Sequence, residues 1–224
     1  LYWSGGRMLG GSSSINGLVY IRGLRRDYDD WAAAGAQGWA WADVEPWFRK
    51  AERFEDGGLE SLGTSGPYTV SRIRSLHSLT EPYVAACREL GMPTLDDYNR
   101  GDREGAFVNL TSQQGGRRSS TANRYLPPAA RGANLRVLAG ARAERVLLEG
   151  GRAVGVRCRT GERTFDVTAQ AQVIVSAGAL QSPAVLMRSG IGPAAHLQSL
   201  GIEAKVDAPQ VGRNLQDHCG LTIS

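Results

Sequence analysis

The sequence predicts an α/β protein in which a parallel sheet is interrupted by a small antiparallel meander. Three observations carry this. The short apolar run Ala171-Gln172-Val173-Ile174-Val175 breaks at Ser176-Ala177-Gly178, and a helical pattern follows from Ser182-Pro183 to Arg188, giving strand, tight turn and helix. Before it, residues 145–149, 153–159 and 164–168 are joined by Gly150-Gly151 and Gly161-Glu162, turn signals that read as a meander. Helical patterns at 27–31, 42–54 and 78–90 occupy the first half of the chain.

Taken in order, the chain opens on Gly6-Arg7-Met8-Leu9-Gly10-Gly11-Ser12-Ser13-Ser14-Ile15-Asn16-Gly17, followed by the apolar run Leu18-Val19-Tyr20-Ile21. Adjacent glycines let the backbone approach a ligand more closely than a Cβ would permit. The serines offer hydroxyls and N–H groups suited to a concave anion site. The loop therefore reads as backbone wrapped on a large, flat or anionic cofactor, or else as an ordinary glycine-rich turn. Asn16 can supply two donors and an acceptor to such a cofactor, or stabilise the turn itself.

The helix at 42–54 has Asp43 as its expected N-cap. The aromatic run from Trp39 to Phe48 reads as core or inter-domain packing. Residues 56–66 form a glycine-rich loop, and 67–71 a strand. The helix at 78–90 places Leu79, Tyr83, Ala86 and Leu90 on one face and stops at Gly91. Residues 106–111 alternate weakly, as a strand would. Residues 119–130 begin as a helix capped by Ser119 or Ser120, and 135–138 read as a strand. The Val173 strand then returns to the main sheet. Ser182 is the expected N-cap of the last helix, with Pro183 at its first position. In open α/β sheets ligands sit at the carboxyl ends of strands. Ala177-Gly178 would let phosphate or ribose approach there, and the helix N-terminus favours negative charge.

Composition excludes several classes. A length of 224 residues allows one or two domains. The formal charge is +4, with 26 basic residues of which only Lys50 and Lys205 are lysine. The arginines are scattered and not interleaved with aromatics, which argues against nucleic acid as a partner. No apolar run is long enough for a membrane span. Cys87, Cys158 and Cys219 form neither a C-x-x-C nor a disulfide framework, which suits a reducing, cytoplasmic setting. His77, His196 and His218 lack metal-ligand spacing, so no metal is expected.

Four ordered motifs together resemble one family, the glucose–methanol–choline (GMC) oxidoreductases, in its bacterial choline-dehydrogenase-like branch. They are Gly6-Arg7-x-Leu9-Gly10-Gly11-Ser12-Ser13-x-Ile15-Asn16 with Tyr20, Gly23 and Asp29; Gly116-Arg117-Arg118-Ser119-Ser120-Thr121-Ala122 with Tyr125-Leu126-Pro127-Pro128-Ala129; Gly178-Ala179-x-x-Ser182-Pro183-x-Val185-Leu186-x-x-Ser189-Gly190-Ile191-Gly192; and Val211-Gly212-Arg213-Asn214-Leu215-Gln216-Asp217-His218. The resemblance implies part of an FAD-binding, Rossmann-like domain with a meander (1–75 and 119–224) and part of an α+β substrate domain (76–118). It implies FAD as cofactor and oxidation of a small alcohol such as choline, with hydride passing to the flavin.

The same resemblance implies cofactor contacts at Met8, Gly10, Gly11, Ser12, Asn16, Gly17, Leu18, Val19, Ala143, Ala177, Gly178, Asp217 and His218. Ala143 aligns with the residue whose backbone meets the adenine edge. Some relatives carry His at the position of Ile15 and attach the flavin covalently; isoleucine cannot, so a non-covalent flavin is expected. Asp217 and His218 are neighbours that would point different ways in a strand. His218 is therefore read as a cofactor-side or structural residue, and no catalytic residue is assigned. Family members begin with a strand–GxGxxG–helix unit and end with a stretch carrying the catalytic His. Neither occurs here, so the chain is expected to be an internal piece of a longer enzyme, inactive alone. Two other readings stay open: a non-catalytic nucleotide-binding module and an NAD(P)-dependent α/β enzyme.

Overall fold

The computed structural model describes residues 3–101, 104–126, 134–217 and 220. The chain divides into two compact units, Leu1–Arg136 and Val137–Ser224.

In the first unit a short 3₁₀ turn, Gly11–Ser14, leads into β1 (Val19–Tyr20) and α1 (Arg25–Ala33). Asp27 starts α1 by accepting the Leu24 N–H at 2.7 Å. α2 (Trp41–Ala51) begins the same way: Asp43 accepts the Ala40 N–H at 3.2 Å. Asp43 is thus the third helical residue and not the N-cap that the sequence suggests, because its carboxylate reaches back to an orphan N–H from inside the first turn. Tyr28, Trp31, Trp41 and Phe48 stack between the two helices with centroids 5.3–5.8 Å from Tyr28. Of the aromatic run expected to pack, Trp41 and Phe48 do so, whereas Trp39 and Trp47 are exposed.

α2 ends three residues before the expected boundary. Residues 52–54 leave the helix to form β2 (Glu52–Phe54), paired in parallel with β3 (Tyr68–Val70). The main core gathers around that pair: Phe54, Leu59, Leu62, Val70, Tyr98 and Leu110 are buried together. Each such side chain contributes about 1.5–3 kcal/mol by leaving water. α3 (Thr80–Glu89) forms where expected and is stopped by Gly91 at φ 80°. Its buried stripe is a different one, however. Leu79, Tyr83 and Leu90 face solvent, and Cys87 is the buried residue. A 3.6-residue period admits overlapping stripes, and packing chooses between them.

The weak strand at 106–111 shrinks to β4 (Leu110–Thr111), antiparallel to β1. The Tyr98 hydroxyl sits inside this pair, donating to the Tyr20 carbonyl at 2.6 Å and accepting the Leu110 N–H at 2.7 Å. A hairpin, β5 (Gln113–Gln114) and β6 (Arg117–Arg118), precedes α4 (Thr121–Tyr125). Ser120 caps α4, and Asn123 reciprocates at 2.9 Å. The helix ends at Tyr125 with Leu126 as its C-cap, short of the expected residue 130; residues 127–130 lie outside the described residues.

The second unit holds the meander: β7 (Arg142–Glu149), β8 (Arg152–Thr160) and β9 (Arg163–Thr168), antiparallel in that order. The turns are those the glycines mark. α5 (Gly178–Arg188) packs on β7. β10 (Ile191–Gly192), α6 (Ala194–Ser199) and β11 (Val206–Asp207) complete a small parallel crossover.

Three expectations are corrected here. Residues 135–138 are not a strand, and Leu135, Val137 and Leu138 are exposed. Residues 173–175 are not a strand either, with Ile174 three-quarters exposed. An apolar run becomes a strand only when a neighbour takes its N–H and C=O groups, and among the described residues none lies beside these two segments. Among the described residues the parallel pairing is that of β2–β3 and β10–β11, with one isolated parallel bridge between Thr94 and Ala106. Finally, α5 starts at Gly178 with Ala177 as its cap; Ser182 and Pro183 lie within the helix. The Ser182 hydroxyl still serves the N-terminus, accepting the Ala177 N–H at 3.0 Å.

Ser189 ties α5 to the meander. Its buried hydroxyl donates to the Val185 carbonyl at 2.6 Å and accepts the Val146 N–H at 2.7 Å. Ser189→Ala should cost the second unit about 1–3 kcal/mol, because the buried Val146 N–H loses its partner. Chemical denaturation of the variant measures this, and a loss below about 0.5 kcal/mol would contradict it.

Candidate functional site

The glycine–serine loop of the first unit folds on itself. The Gly11 N–H donates to the Met8 carbonyl at 2.9 Å, and the Asn16 N–H to the Ser12 carbonyl at 2.8 Å. Gly10 has φ 86°, a left-handed conformation that glycine adopts without strain. A Cβ there would also overlap the Ser14 hydroxyl, and one at Gly6 would overlap the Gly11 carbonyl. Gly11 differs: a Cβ there would meet nothing within 4 Å. Gly6 and Gly10 therefore build the turn, whereas Gly11 presents bare backbone to open space.

The serines do less toward an anion than their sequence suggests. Ser13 donates to the Gly10 carbonyl at 2.5 Å and Ser14 to the Leu9 carbonyl at 2.9 Å. Both hydroxyl protons are spent inside the loop. Ser12 accepts the Gly6 N–H at 3.2 Å, and among the described residues its own proton has no acceptor. The Asn16 side-chain oxygen accepts the Leu18 N–H at 3.2 Å, the turn-stabilising role. The Asn16 amide nitrogen and the Gly17 N–H have no protein partner among the described residues. Leu18 itself has φ 68°. For a side chain other than glycine this costs about 1–2 kcal/mol, and such strain persists where surrounding contacts over-determine the backbone, often at ligand clamps. Around these donors Met8, Leu9, Ile15 and Val19 are 57%, 50%, 45% and 48% exposed. The surface thus combines apolar side chains with a few outward donors, the composition of a cofactor site.

Two residues far along the chain brace this loop. Arg118 donates from one nitrogen to the Ser13 carbonyl at 3.3 Å, the Asn16 carbonyl at 2.8 Å and the Asn16 side-chain oxygen at 2.8 Å. Thr121 donates its N–H to the Ser13 hydroxyl at 3.0 Å and its own hydroxyl to the Gly10 carbonyl at 3.3 Å. Both stand in the Gly116–Ala122 motif, which by itself marks no role for either. The signal was their place next to a helix cap, in a motif that accompanies the loop.

A second arrangement escaped the sequence reading altogether. Glu52, 1% exposed, accepts from Arg22 Nε at 2.8 Å, Arg22 Nη2 at 2.5 Å, the Gly63 N–H at 3.0 Å and the Tyr20 hydroxyl. Arg22 also donates to the Ser61 and Asn99 carbonyls. Burial raises the Tyr20 hydroxyl far above the usual phenol range, and the Glu52 charge adds to it. Burial alone would lower Arg22, but its bonds and attraction to Glu52 outweigh that and hold it above its ordinary value. The group fixes β1, and β1 carries the end of the loop.

The remaining expected cofactor residues lie in the second unit. Ala143 is exposed on β7, an edge strand of the meander, beside a register shift between Ala143 and Arg145. Ala177 and Gly178 are exposed at the N-terminus of α5. Asp217 is exposed; His218 lies outside the described residues, as does Cys219. Cys87 and Cys158 are buried free thiols.

The second unit also has an arginine-lined concavity of about 670 Å³, with Arg142, Arg145, Arg157, Arg159 and Arg188 around Glu144. Arg157 grips Asp166 with two bonds of 2.8 Å and holds that carboxyl below its usual range. Arg159 binds Glu144 at 2.7 Å. Among the described residues no His, Cys, Asp and Glu cluster could hold a metal, and no helix is long and apolar enough to cross a membrane.

The chain matches the GMC oxidoreductase family over residues 1–220. It is 45% identical over 218 residues to an oxygen-dependent choline dehydrogenase of Brucella anthropi, covering 97% of this chain and 40% of that protein. To the enzyme of the same name from Rhizobium etli it is 46% identical over 213 residues, covering 95% and 39%. Among solved structures it resembles pyridoxine 4-oxidase from Mesorbium loti, with a TM-score of 0.88 at 36% identity, over 96% of this chain and 43% of that one. An FAD-dependent oxidoreductase from Chaetomium thermophilum gives a TM-score of 0.89 at 31% identity, over 95% and 39%. The chain spans about two fifths of the length of these relatives.

Proposed function

Since the chain belongs to the GMC oxidoreductase family, we propose that it forms part of an FAD-dependent oxidoreductase that acts on the CH–OH group of a small alcohol, choline being the leading candidate. The observation that carries this reading is the loop from Met8 to Val19. Its half-exposed apolar side chains surround outward-facing donors at Ser12, Asn16 and Gly17. That pattern fits a flat ring system with a polar edge. The Gly17 N–H, the Asn16 amide nitrogen and the Ser12 hydroxyl can each donate to carbonyl oxygens or ring nitrogens of an isoalloxazine. Met8, Leu9 and Val19 can cover its apolar parts. The Ala143 backbone and the Ala177-Gly178 turn would serve the adenosine and phosphate parts, where the N-terminus of α5 favours negative charge. When bound, FAD supplies the hydride acceptor for the alcohol carbon.

Residues 1–75 and 119–224 are assigned in this proposal to the FAD domain and 76–118 to the substrate domain. Cytoplasmic residence is part of the same proposal, supported by the free thiols of Cys87 and Cys158. Choline is preferred over other alcohols because the identity to choline dehydrogenases is 45–46%. A non-catalytic nucleotide-binding module is not favoured, because the relatives on both sides are enzymes.

The test is to express the complete gene product and add choline without oxygen. Bleaching of the flavin band on adding choline is expected. A protein that purifies with stoichiometric FAD yet is bleached by other primary alcohols and not by choline would move the substrate elsewhere. One that binds no flavin would overturn the reading. Because Ile15 offers no nucleophile, acid precipitation of the holoprotein should release the yellow flavin into the supernatant. Flavin retained by the denatured pellet would contradict that expectation.

A further inference from the structure

Arg118 lies on β6, 102 residues from Asn16, yet one of its guanidinium nitrogens meets three oxygens of the loop: the Ser13 carbonyl, the Asn16 carbonyl and the Asn16 side chain. The peptide bond is planar and trans, so the C=O of one residue and the N–H of the next point in opposite directions. By drawing the Asn16 carbonyl toward itself, Arg118 turns the Gly17 N–H the other way. That N–H has no protein partner among the described residues, and Gly17 is exposed. The Asn16 side-chain oxygen is shared between Arg118 and the Leu18 N–H, at the entry to the left-handed conformation of Leu18. On its far side the Leu18 carbonyl accepts the Ser112 N–H at 2.8 Å. The strained residue is thus pinned from both ends, and Arg118 holds one of them. The Ser13 carbonyl lies at the C-terminal end of the 3₁₀ turn, where a cation offsets the partial negative charge of unpaired carbonyls.

We propose that Arg118 is the positioning residue of the cofactor loop: it gathers the Ser13 and Asn16 oxygens and so fixes the Asn16–Gly17 peptide with its N–H facing the flavin side. This rests on the reading of the loop as a flavin site. Arg118 acts through the loop: it sets which way the backbone donor faces. Its neighbour Arg117 is exposed and touches none of these oxygens among the described residues, which makes it the natural control.

The experiment uses the complete gene product, stripped of flavin and titrated with FAD, with affinity and visible circular dichroism of the bound flavin as readouts. Arg118→Ala should weaken FAD binding about tenfold or more, since bonds to a charged donor are lost, and should alter the dichroism. Millimolar guanidinium should restore both, whereas sodium chloride at equal ionic strength should not. Arg117→Ala should behave as the unaltered protein. Wild-type affinity and dichroism in Arg118→Ala would overturn the proposal, as would a loss that guanidinium does not repair, which would mean general damage. If Arg118→Ala fails to fold, Arg118→Lys decides the matter. It keeps the charge with a shorter reach, so a folded variant should bind FAD with an affinity between those limits and altered dichroism, and unchanged values reject the role. An unaltered protein that binds no FAD would instead remove the flavin reading beneath it, a distinct outcome.

Discussion

Glu52→Ala is expected to cost the first unit about 3–5 kcal/mol or to unfold it, because it strands a buried Arg22 without its counter-charge. Arg22 is 4% exposed and Glu52 1%. Glu52 accepts four donors, from Arg22, Gly63 and Tyr20. Removing Glu52 takes the paired carboxylate from a buried guanidinium that keeps its bonds to the Ser61 and Asn99 carbonyls, and that penalty exceeds the net worth of the intact pair. The corollary is a smaller loss in the double variant. Arg22→Met together with Glu52→Leu removes both charges and should be less destabilised than Glu52→Ala alone, as buried ion pairs often exchange for apolar groups at little cost. Urea denaturation of the three proteins settles it. A single variant within about 1 kcal/mol of the parent would show that the pair is not buried as described. The Tyr20 hydroxyl, raised by burial and by Glu52, should remain a neutral donor on alkaline titration until the unit unfolds.

The second large effect concerns function. In the complete gene product Gly11→Val should leave the protein folded while flavin content falls sharply. A Cβ at Gly11 meets no protein atom within 4 Å, and its φ is 52°. The structural cost is therefore backbone strain alone, about 1–2 kcal/mol for a left-handed residue, somewhat more for a β-branched one. If the flavin rests on this backbone, the valine methyls occupy its place. The ratio of flavin to protein absorbance in the monodisperse fraction, set beside the thermal midpoint, separates the two effects. A near-stoichiometric ratio would reject Gly11 as a contact. Gly6→Ala is the instructive contrast. Its Cβ would overlap the Gly11 carbonyl, so it should disturb the loop itself and lower both readings together.

These two sites differ in how far the sequence announces them. The loop is legible because its requirements are local: Gly10 must be left-handed, Gly6 must be small, and the two stand four residues apart. The meander is legible for the same reason, since Gly150-Gly151 and Gly161-Glu162 turn the chain between strands adjacent in sequence. The helices α1 and α3 likewise show in local pattern. Glu52 carries no such mark. It follows an aromatic-rich helix and looks like its last turn; only the pairing with Tyr68 across the loop at 56–66 pulls it out into β2.

Length, motif order and local turn chemistry thus determined the family resemblance, the α/β class, the meander and the residues of the glycine–serine loop, because each depends on neighbours within a few positions. Tertiary structure alone decided four other things. Residues 173–175 are not a strand, for want of a partner. α3 buries Cys87 rather than Leu79, Tyr83 and Leu90. Glu52 neutralises Arg22 thirty positions away, and Arg118 orients the loop from 102 positions away. Burial, strand pairing and charge neutralisation are properties of atoms close in space, and separation along the chain hides them from any local pattern.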